Sequence, residues 1–203
     1  MTSFLTTGGI RGGKVQLEKF VPRTFNMGFS RQVYDTVGGF REMFSEDIDM
    51  STRIRQARFS INLIRPAFVW HKRRIDLHKF FRQVYVFGMS RVTLKLLYPD
   101  SLKIVHLLPA AFVFGCITLI ALGIFVSPLW LIPLAAYFFA VFIGAWISTG
   151  SFKISILAVP SAIIQLGGYG CGFIKAWFTK IILGHGRDIQ EEVSIRKGEN
   201  EKL

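Results

Sequence analysis

The chain has 203 residues and a formal net charge of +12, and its composition divides it into two unlike halves. Residues 1–103 hold 18 of the 25 Lys and Arg side chains and 8 of the 13 acidic ones, so the first half is basic. Residues 104–203 are mostly apolar. The basic residues are interspersed with aromatics, without zinc-ligand spacing or an RNA-binding aromatic signature, so we expect no nucleic-acid partner.

The first half predicts a mixed α/β structure. Three short apolar segments are typical of strands, at residues 25–30, 60–64 and 68–70. Residues 31–37 predict a short helix that the glycine pair at 38–39 ends, and residues 47–57 predict a second helix.

The second helix begins with a cluster of carboxylates. Glu46, Asp47 and Asp49 fall in its first turn, after Ser45. A carboxylate at such a position can accept a proton from a hydroxyl group, so Asp47 with Glu46 beside it is a candidate general base. The alternative is that these acids only complement the helix dipole, with Ser45 as the cap.

Residues 75–97 predict a long helix in which aromatic and basic side chains alternate. This pattern is typical of a helix that lies on a membrane surface, and the alternative is an ordinary amphipathic core helix. We therefore predict three parts around it: a soluble region at 1–74, an interfacial helix within 75–103 and a membrane region at 104–183.

Three apolar segments of about 20 residues follow, a length that spans a bilayer. They lie at residues 104–126, 129–147 and 154–174. The first two form a helical hairpin through a short turn. The third contains Pro160 and a glycine-rich stretch at 167–172, which predicts either a closely packed third span or a broken, re-entrant segment. Residues 173–183 predict an interfacial helix, and residues 184–203 predict a disordered tail.

The charges give conflicting predictions for the membrane orientation. The excess of Lys and Arg before the first span predicts that residues 1–103 are cytoplasmic. Three spans would then place the tail outside. Lys175, Lys180 and Arg187 favour the inside, and both alternatives stay open at this point.

An ordered set of short motifs resembles the C-terminal half of a bacterial family 2 glycosyltransferase. The motifs are Asn-Met-Gly-Phe-Ser-Arg at 26–31, Gly-Gly-Phe at 38–40, Ser-Glu-Asp-Ile-Asp at 45–49, Trp-His at 70–71, the segment 81–91 and Tyr-Gly-Cys-Gly-Phe at 169–173. The set covers roughly residues 8–183 and is most similar to exopolysaccharide enzymes of the succinoglycan type, which end in membrane helices. The resemblance implies part of a GT-A α/β fold, followed by two to three transmembrane helices in the bacterial inner membrane.

The resemblance also implies roles for particular residues. Asp47 would be the base that deprotonates the acceptor hydroxyl, and Glu46 would orient the acceptor or tune that base. The residues with a possible role at the diphosphate or acceptor are Arg31, His71, Arg82, Gln83 and Arg91. For the arginines and Gln83 the alternatives are lipid headgroup contact, solvation or helix-surface pairing, and for His71 a structural hydrogen bond. The segment after Gln83 lacks the Arg-Trp pair of processive synthases, which argues against that class.

A complete enzyme of this family would need a uridine pocket, an Asp-x-Asp motif and a divalent metal, Mg²⁺ or Mn²⁺. None of these is expected in this chain, because its one Asp-x-Asp, at 47–49, belongs to the later motif. We therefore predict an inactive fragment whose partners are membrane lipid, a lipid-linked glycan acceptor and, through the absent half, a nucleotide-sugar donor. The alternative is a non-catalytic membrane subunit or scaffold of a polysaccharide-assembly complex.

Overall fold

The computed structural model describes residues 20–64, 66–70 and 76–186. They belong to two compact units. The described residues before 71 form the first unit, and residues 76–186 form the second.

The described residues of the first unit contain two α-helices, α1 (Arg31–Val37) and α2 (Glu46–Gln56). The Ser30 side chain caps α1 by accepting a hydrogen bond from the Val33 amide, at 3.3 Å. Gly38 ends this helix with a φ of +74°, a conformation that glycine adopts without strain. The small core consists of Val33, Met50 and Ile54, with partly buried neighbours at Met27, Val37, Phe59 and Ile61.

The predicted α/β fold is wrong, because the part of the chain that the structure describes contains helices and irregular segments but no strand. Of the three predicted strands, the one at 25–30 overlaps the 3₁₀ turn Thr24–Asn26, and those at 60–64 and 68–70 have no regular structure. A strand needs a neighbouring strand to satisfy its backbone N–H and C=O groups. None of the described residues supplies such a partner to these three apolar segments.

The second unit contains four long helices. They are α3 (Leu77–Leu97), α4 (Leu108–Phe125), α5 (Ile132–Thr149) and α6 (Phe152–Trp177), and a π-helical turn (Phe178–Ile182) extends the last. Within the described part of the chain, three stretches are long and apolar enough to cross a membrane: Leu108–Phe125, Pro128–Thr149 and Phe152–Ile182. The chain is therefore a membrane protein by length and composition of its helices.

The helix boundaries modify the predicted spans. A 3₁₀ turn at Ile104–His106 precedes α4, and a second one at Pro128–Leu131 joins α4 to α5. The glycine-rich stretch lies inside the continuous helix α6, which also contains Pro160, so the broken alternative does not apply. Most of the predicted tail, from residue 187, lies outside the described residues.

Small residues allow the helices of this unit to pack closely. Val141 and Ala145 on α5 pack against Ala158 and Ala162 on α6. A second core joins α3, α4 and α6, with buried members at Val92, Ala110, Phe173 and Ala176. The face of α3 that contains Val84, Gly88 and Val92 is buried, so α3 packs on protein along one side.

Candidate functional site

The candidate site is the N-terminus of α2. Ser45 precedes this helix in a left-handed conformation with φ +67°, and its side chain does not make the expected cap hydrogen bond. The proposed capping role of Ser45 is therefore wrong. Its carbonyl oxygen instead accepts the amides of Ile48 and Asp49, so the first turn is closed by backbone groups. The acidic side chains of this turn are available for other contacts.

Asp47 is almost buried, with 7% of its surface exposed. Its Oδ2 accepts a hydrogen bond from Arg23 Nη1 at 2.8 Å, and its Oδ1 accepts the Ile48 amide at 2.9 Å. The side chain of Arg23 is 52% exposed, so water reaches the cation of this ion pair more easily than the carboxylate. Asp47 is consequently a carboxylate held by two hydrogen bonds, with little of its own surface exposed.

Glu46 lies beside Asp47 and is bound by the same preceding segment. Its Oε1 accepts a hydrogen bond from the Thr24 hydroxyl at 2.7 Å. The two residues 23 and 24 thus hold the two adjacent carboxylates of α2. Glu46 and Asp47 are neighbours in the chain, and both already have protein partners.

Asp49 has a different environment, because it is fully buried between two guanidinium groups. Arg41 Nη1 lies 3.0 Å from its Oδ1, and Arg53 lies 2.9 Å from its Oδ2. Arg53 also donates to the carbonyl oxygens of Val37 and Gly39, the latter at 2.8 Å. This ion cluster ties the glycine turn to α2 and so fixes the segment from which the helix starts.

Part of this ion cluster can be predicted from the sequence. Asp49 and Arg53 are four residues apart on one helix, the spacing that permits an ion pair. Sequence reasoning identified Asp49 only as a helix residue and did not assign a partner to Arg41. Arg41 lies in the irregular segment before α2, where no periodicity predicts which group a side chain contacts.

The carboxylates of α2 do not fit a divalent metal ion. Mg²⁺ is bound through free carboxylate oxygens and water. Asp47 and Asp49 are already paired with arginines, whose positive charges would repel a cation. No group of three or more His, Cys, Asp or Glu side chains that could hold a metal occurs within residues 20–64, 66–70 and 76–186.

The other predicted site residues are dispersed. Arg31 is exposed on α1 and pairs with Asp35 at 3.0 Å, which is the helix-surface alternative. Arg82 and Gln83 are exposed near the start of α3, whereas Arg91 is partly buried. Nine residues correspond to about two and a half turns, so Arg82 and Arg91 point to opposite sides of α3 and do not form one phosphate-binding pair. His71 lies outside the described residues.

His106 is a titratable residue whose environment the sequence did not predict. It ends the 3₁₀ turn before α4, and its Nδ1 accepts the Lys103 amide at 3.0 Å. Burial lowers its pKa from 6.5 to about 4, and the positive charges of Arg91 and Lys103 act in the same direction. The ring is therefore neutral at pH 7.

An open cavity of about 810 Å³ lies in the first unit. Its wall is mainly apolar, with polar groups from Asn26, Ser30, Ser60 and Asn62. The carboxylates of Glu46 and Asp47 are not part of its lining. The cavity is thus separate from the candidate catalytic group.

Comparisons with known proteins found no match: no family model, no curated protein and no solved structure is similar to this chain.

Proposed function

We propose that this chain is the acceptor-side part of a membrane-bound inverting glycosyltransferase, with Asp47 as the general base. The observation that carries the proposal is the fixed pair of carboxylates, Glu46 and Asp47, at the start of α2. The apolar helices of the second unit favour an acceptor that is itself in the membrane, such as a lipid-linked glycan. The donor would be a nucleotide sugar.

The chemistry requires a carboxylate that takes one proton. As the acceptor hydroxyl attacks the anomeric carbon, its oxygen forms the new glycosidic bond and its proton passes to Asp47. The nucleoside diphosphate leaves with the electron pair of the bond that breaks. Oδ2 is the oxygen for this step, because the half-exposed Arg23 side chain can turn aside for an incoming hydroxyl. Glu46, held by Thr24, would position that hydroxyl.

The diphosphate of the donor also needs compensating positive charge. The acids of α2 do not fit a metal ion, so a metal bound to the donor would need other ligands. No step of the proton transfer above depends on it.

The test is to replace Asp47 with Asn in the chromosomal gene and to measure sugar transfer to lipid in isolated membranes. Loss of a general base should lower the rate by about 10²–10⁴-fold. The control is Glu42→Gln, which removes a carboxylate from the exposed loop just before α2 and should leave the rate unchanged.

A second variant separates catalysis from structure. Arg23→Gln breaks the ion pair with Asp47 but keeps the carboxylate. If Asp47 is the base, Arg23→Gln retains most of the transfer that Asp47→Asn loses. Equal losses in the two variants, or near-normal transfer in Asp47→Asn at normal protein levels, would contradict the proposed base.

The burial of Asp47 favours a second candidate function, a non-catalytic membrane subunit that binds a partner of the assembly complex through its basic surface. In that case Asp47→Asn would leave polysaccharide formation intact, whereas Arg82→Glu would abolish it. Arg58→Glu is the matched control, since Arg58 is an exposed cation that belongs to the first unit and not to α3.

A further inference from the structure

The junction between α3 and α4 brings two basic side chains close to each other. Leu102 packs against the core that α3, α4 and α6 share, so the connecting segment lies on the body of the second unit. The backbone amide of Lys103, the next residue, donates to His106 Nδ1 at 3.0 Å. Besides burial, the positive charges of both Arg91 and Lys103 lower the pKa of His106, so the two cations lie near the same ring.

Two buried polar atoms at this junction have no hydrogen-bond partner among the described residues. They are Arg91 Nε and the hydroxyl oxygen of Ser101. None of the ion pairs formed by the described carboxylates includes Arg91, and Asp100, the acid next to Ser101, is exposed. Buried polar groups in folded proteins are nearly always hydrogen-bonded. Water can satisfy a hydroxyl group, but an anion also compensates the charge of a guanidinium.

The chain places Ser101 on the side of α3 that carries Arg91. The Ser101 amide donates to the carbonyl oxygen of Tyr98, and the Tyr98 amide donates to the carbonyl oxygen of Leu94 in the last turn of α3. Tyr98 follows Arg91 by seven residues, about two helical turns, so both lie on the same side. The unpaired Ser101 hydroxyl and the unpaired Arg91 Nε thus belong to one region of the surface.

The surroundings of these groups favour an anion that carries apolar chains. The segment leads directly into Leu108–Phe125, which is long and apolar enough to cross a membrane. Beside the basic residues, the side chains of Ile104, Leu107 and Leu108 are exposed. Basic and exposed apolar side chains at the end of a membrane helix suit an anionic lipid, because the headgroup can contact the cations while the acyl chains cover the apolar groups.

We propose that Arg91, Ser101 and Lys103 form a binding site for the phosphate group of an anionic membrane lipid. The Arg91 guanidinium and the Ser101 hydroxyl donate hydrogen bonds to phosphate oxygens, and Lys103 adds a second positive charge. The acyl chains lie along the exposed apolar residues at the start of α4. A lipid bound there connects the end of α3 to the start of α4. The site lies in the second unit and does not depend on the proposed catalytic role of Asp47.

Binding is measured on the full-length protein, purified in detergent, as the shift of its thermal midpoint when a ligand is added. A ligand that binds only the folded state raises this midpoint. The probes are phosphatidylglycerol, which is anionic, phosphatidylcholine with the same acyl chains, which has no net charge, and inorganic phosphate, which has no chains. We expect phosphatidylglycerol to raise the midpoint and the other two probes to leave it unchanged at equal concentration.

Variants identify the residues that bind the lipid. Arg91→Gln and Lys103→Gln should each weaken the apparent affinity for phosphatidylglycerol by about tenfold, because each removes a charged contact to the phosphate. Arg82→Gln is the matched control, since it makes the same change on the opposite side of α3 and should leave the affinity unchanged. Lys103 is exposed, so Lys103→Gln alone decides the test if Arg91→Gln does not fold.

Three results would overturn the site. The first is an affinity for phosphatidylglycerol that is the same in Lys103→Gln as in the native protein. The second is an equal shift with phosphatidylcholine, which would mean that the acyl chains and not the anionic headgroup are recognised. The third is an equal shift with inorganic phosphate, which would mean that the bound anion is not a lipid.

Discussion

At the scale of single residues, the environment of each carboxylate of α2 determines what its replacement should do. Asp49 is fully buried between Arg41 and Arg53 and has no exposed surface. The side chain of Asp47 is 10% exposed, and its partner Arg23 is half-exposed. Asp49 is therefore part of the internal framework of the first unit, whereas Asp47 keeps a small exposed surface.

This difference predicts a large loss of stability in Asp49→Asn. The substitution leaves two guanidinium groups near a buried neutral amide, and breaking a buried ion pair costs about 3–5 kcal/mol. We expect the first unit to become sensitive to protease while α6 stays protected. Asp35→Asn is the control, since its exposed pair with Arg31 contributes roughly 0.5 kcal/mol or less. Equal protease resistance in both variants would contradict the framework role of Asp49.

His106 should make the free energy of unfolding depend on pH, because burial favours the neutral form of its ring. Its folded pKa of about 4 is below the ordinary 6.5, so the unfolded chain binds the proton more tightly. The stability from the neutral ring is complete above pH 6.5 and is lost as the pH falls toward 4. The thermal midpoint in detergent, measured from pH 7 to 4.5, should therefore fall more steeply in the native protein than in His106→Asn. Parallel curves would show that His106 does not contribute.

At the scale of elements, sequence reasoning located helices well and strands poorly. α1 has the predicted bounds because Ser30 and the glycine at 38 are local start and stop signals. The predicted strands are wrong because the sequence of one segment does not show whether a partner strand exists. The sequence did not predict that Arg23 pairs with Asp47 and Arg41 with Asp49, for a related reason. Both arginines lie in irregular segments, where the spacing along the chain does not indicate which side chains come together.

The contact between α3 and α6 predicts how two glycines of α6 should differ. A Cβ at Gly172 would overlap the backbone of Tyr85, whereas nothing lies within 4 Å of one at Gly167. Gly172→Ala should lower the thermal midpoint of the second unit because the helices must separate. Gly167→Ala should be neutral or stabilising, as Ala is favoured over Gly in helices by about 1 kcal/mol. The measurement is thermal unfolding in detergent, and similar shifts in both variants would refute the close contact.

At the scale of the whole molecule, the two compact units have separate cores. The first is small and rests on the buried ion cluster of Asp49, whereas the second rests on the close approach of α3, α4 and α6. This division was visible in the composition, since the basic and apolar halves of the chain differ sharply. Which helices of the second unit pack together was not visible in the composition.

Separate cores predict that damage to one unit stays local. Hydrogen exchange, followed by mass spectrometry of the full-length protein, should become faster in α2 for Asp49→Asn and faster in α3 and α6 for Gly172→Ala. Since Asp49 and Gly172 lie in different compact units, the double variant should show the sum of the two single effects. Faster exchange of α6 in Asp49→Asn would mean that the first unit supports the membrane helices. The ion cluster at α2 would then stabilise the whole molecule. In that case, hydrogen exchange of Asp47→Asn would also have to be measured, because a loss of sugar transfer could come from unfolding and not from the missing base.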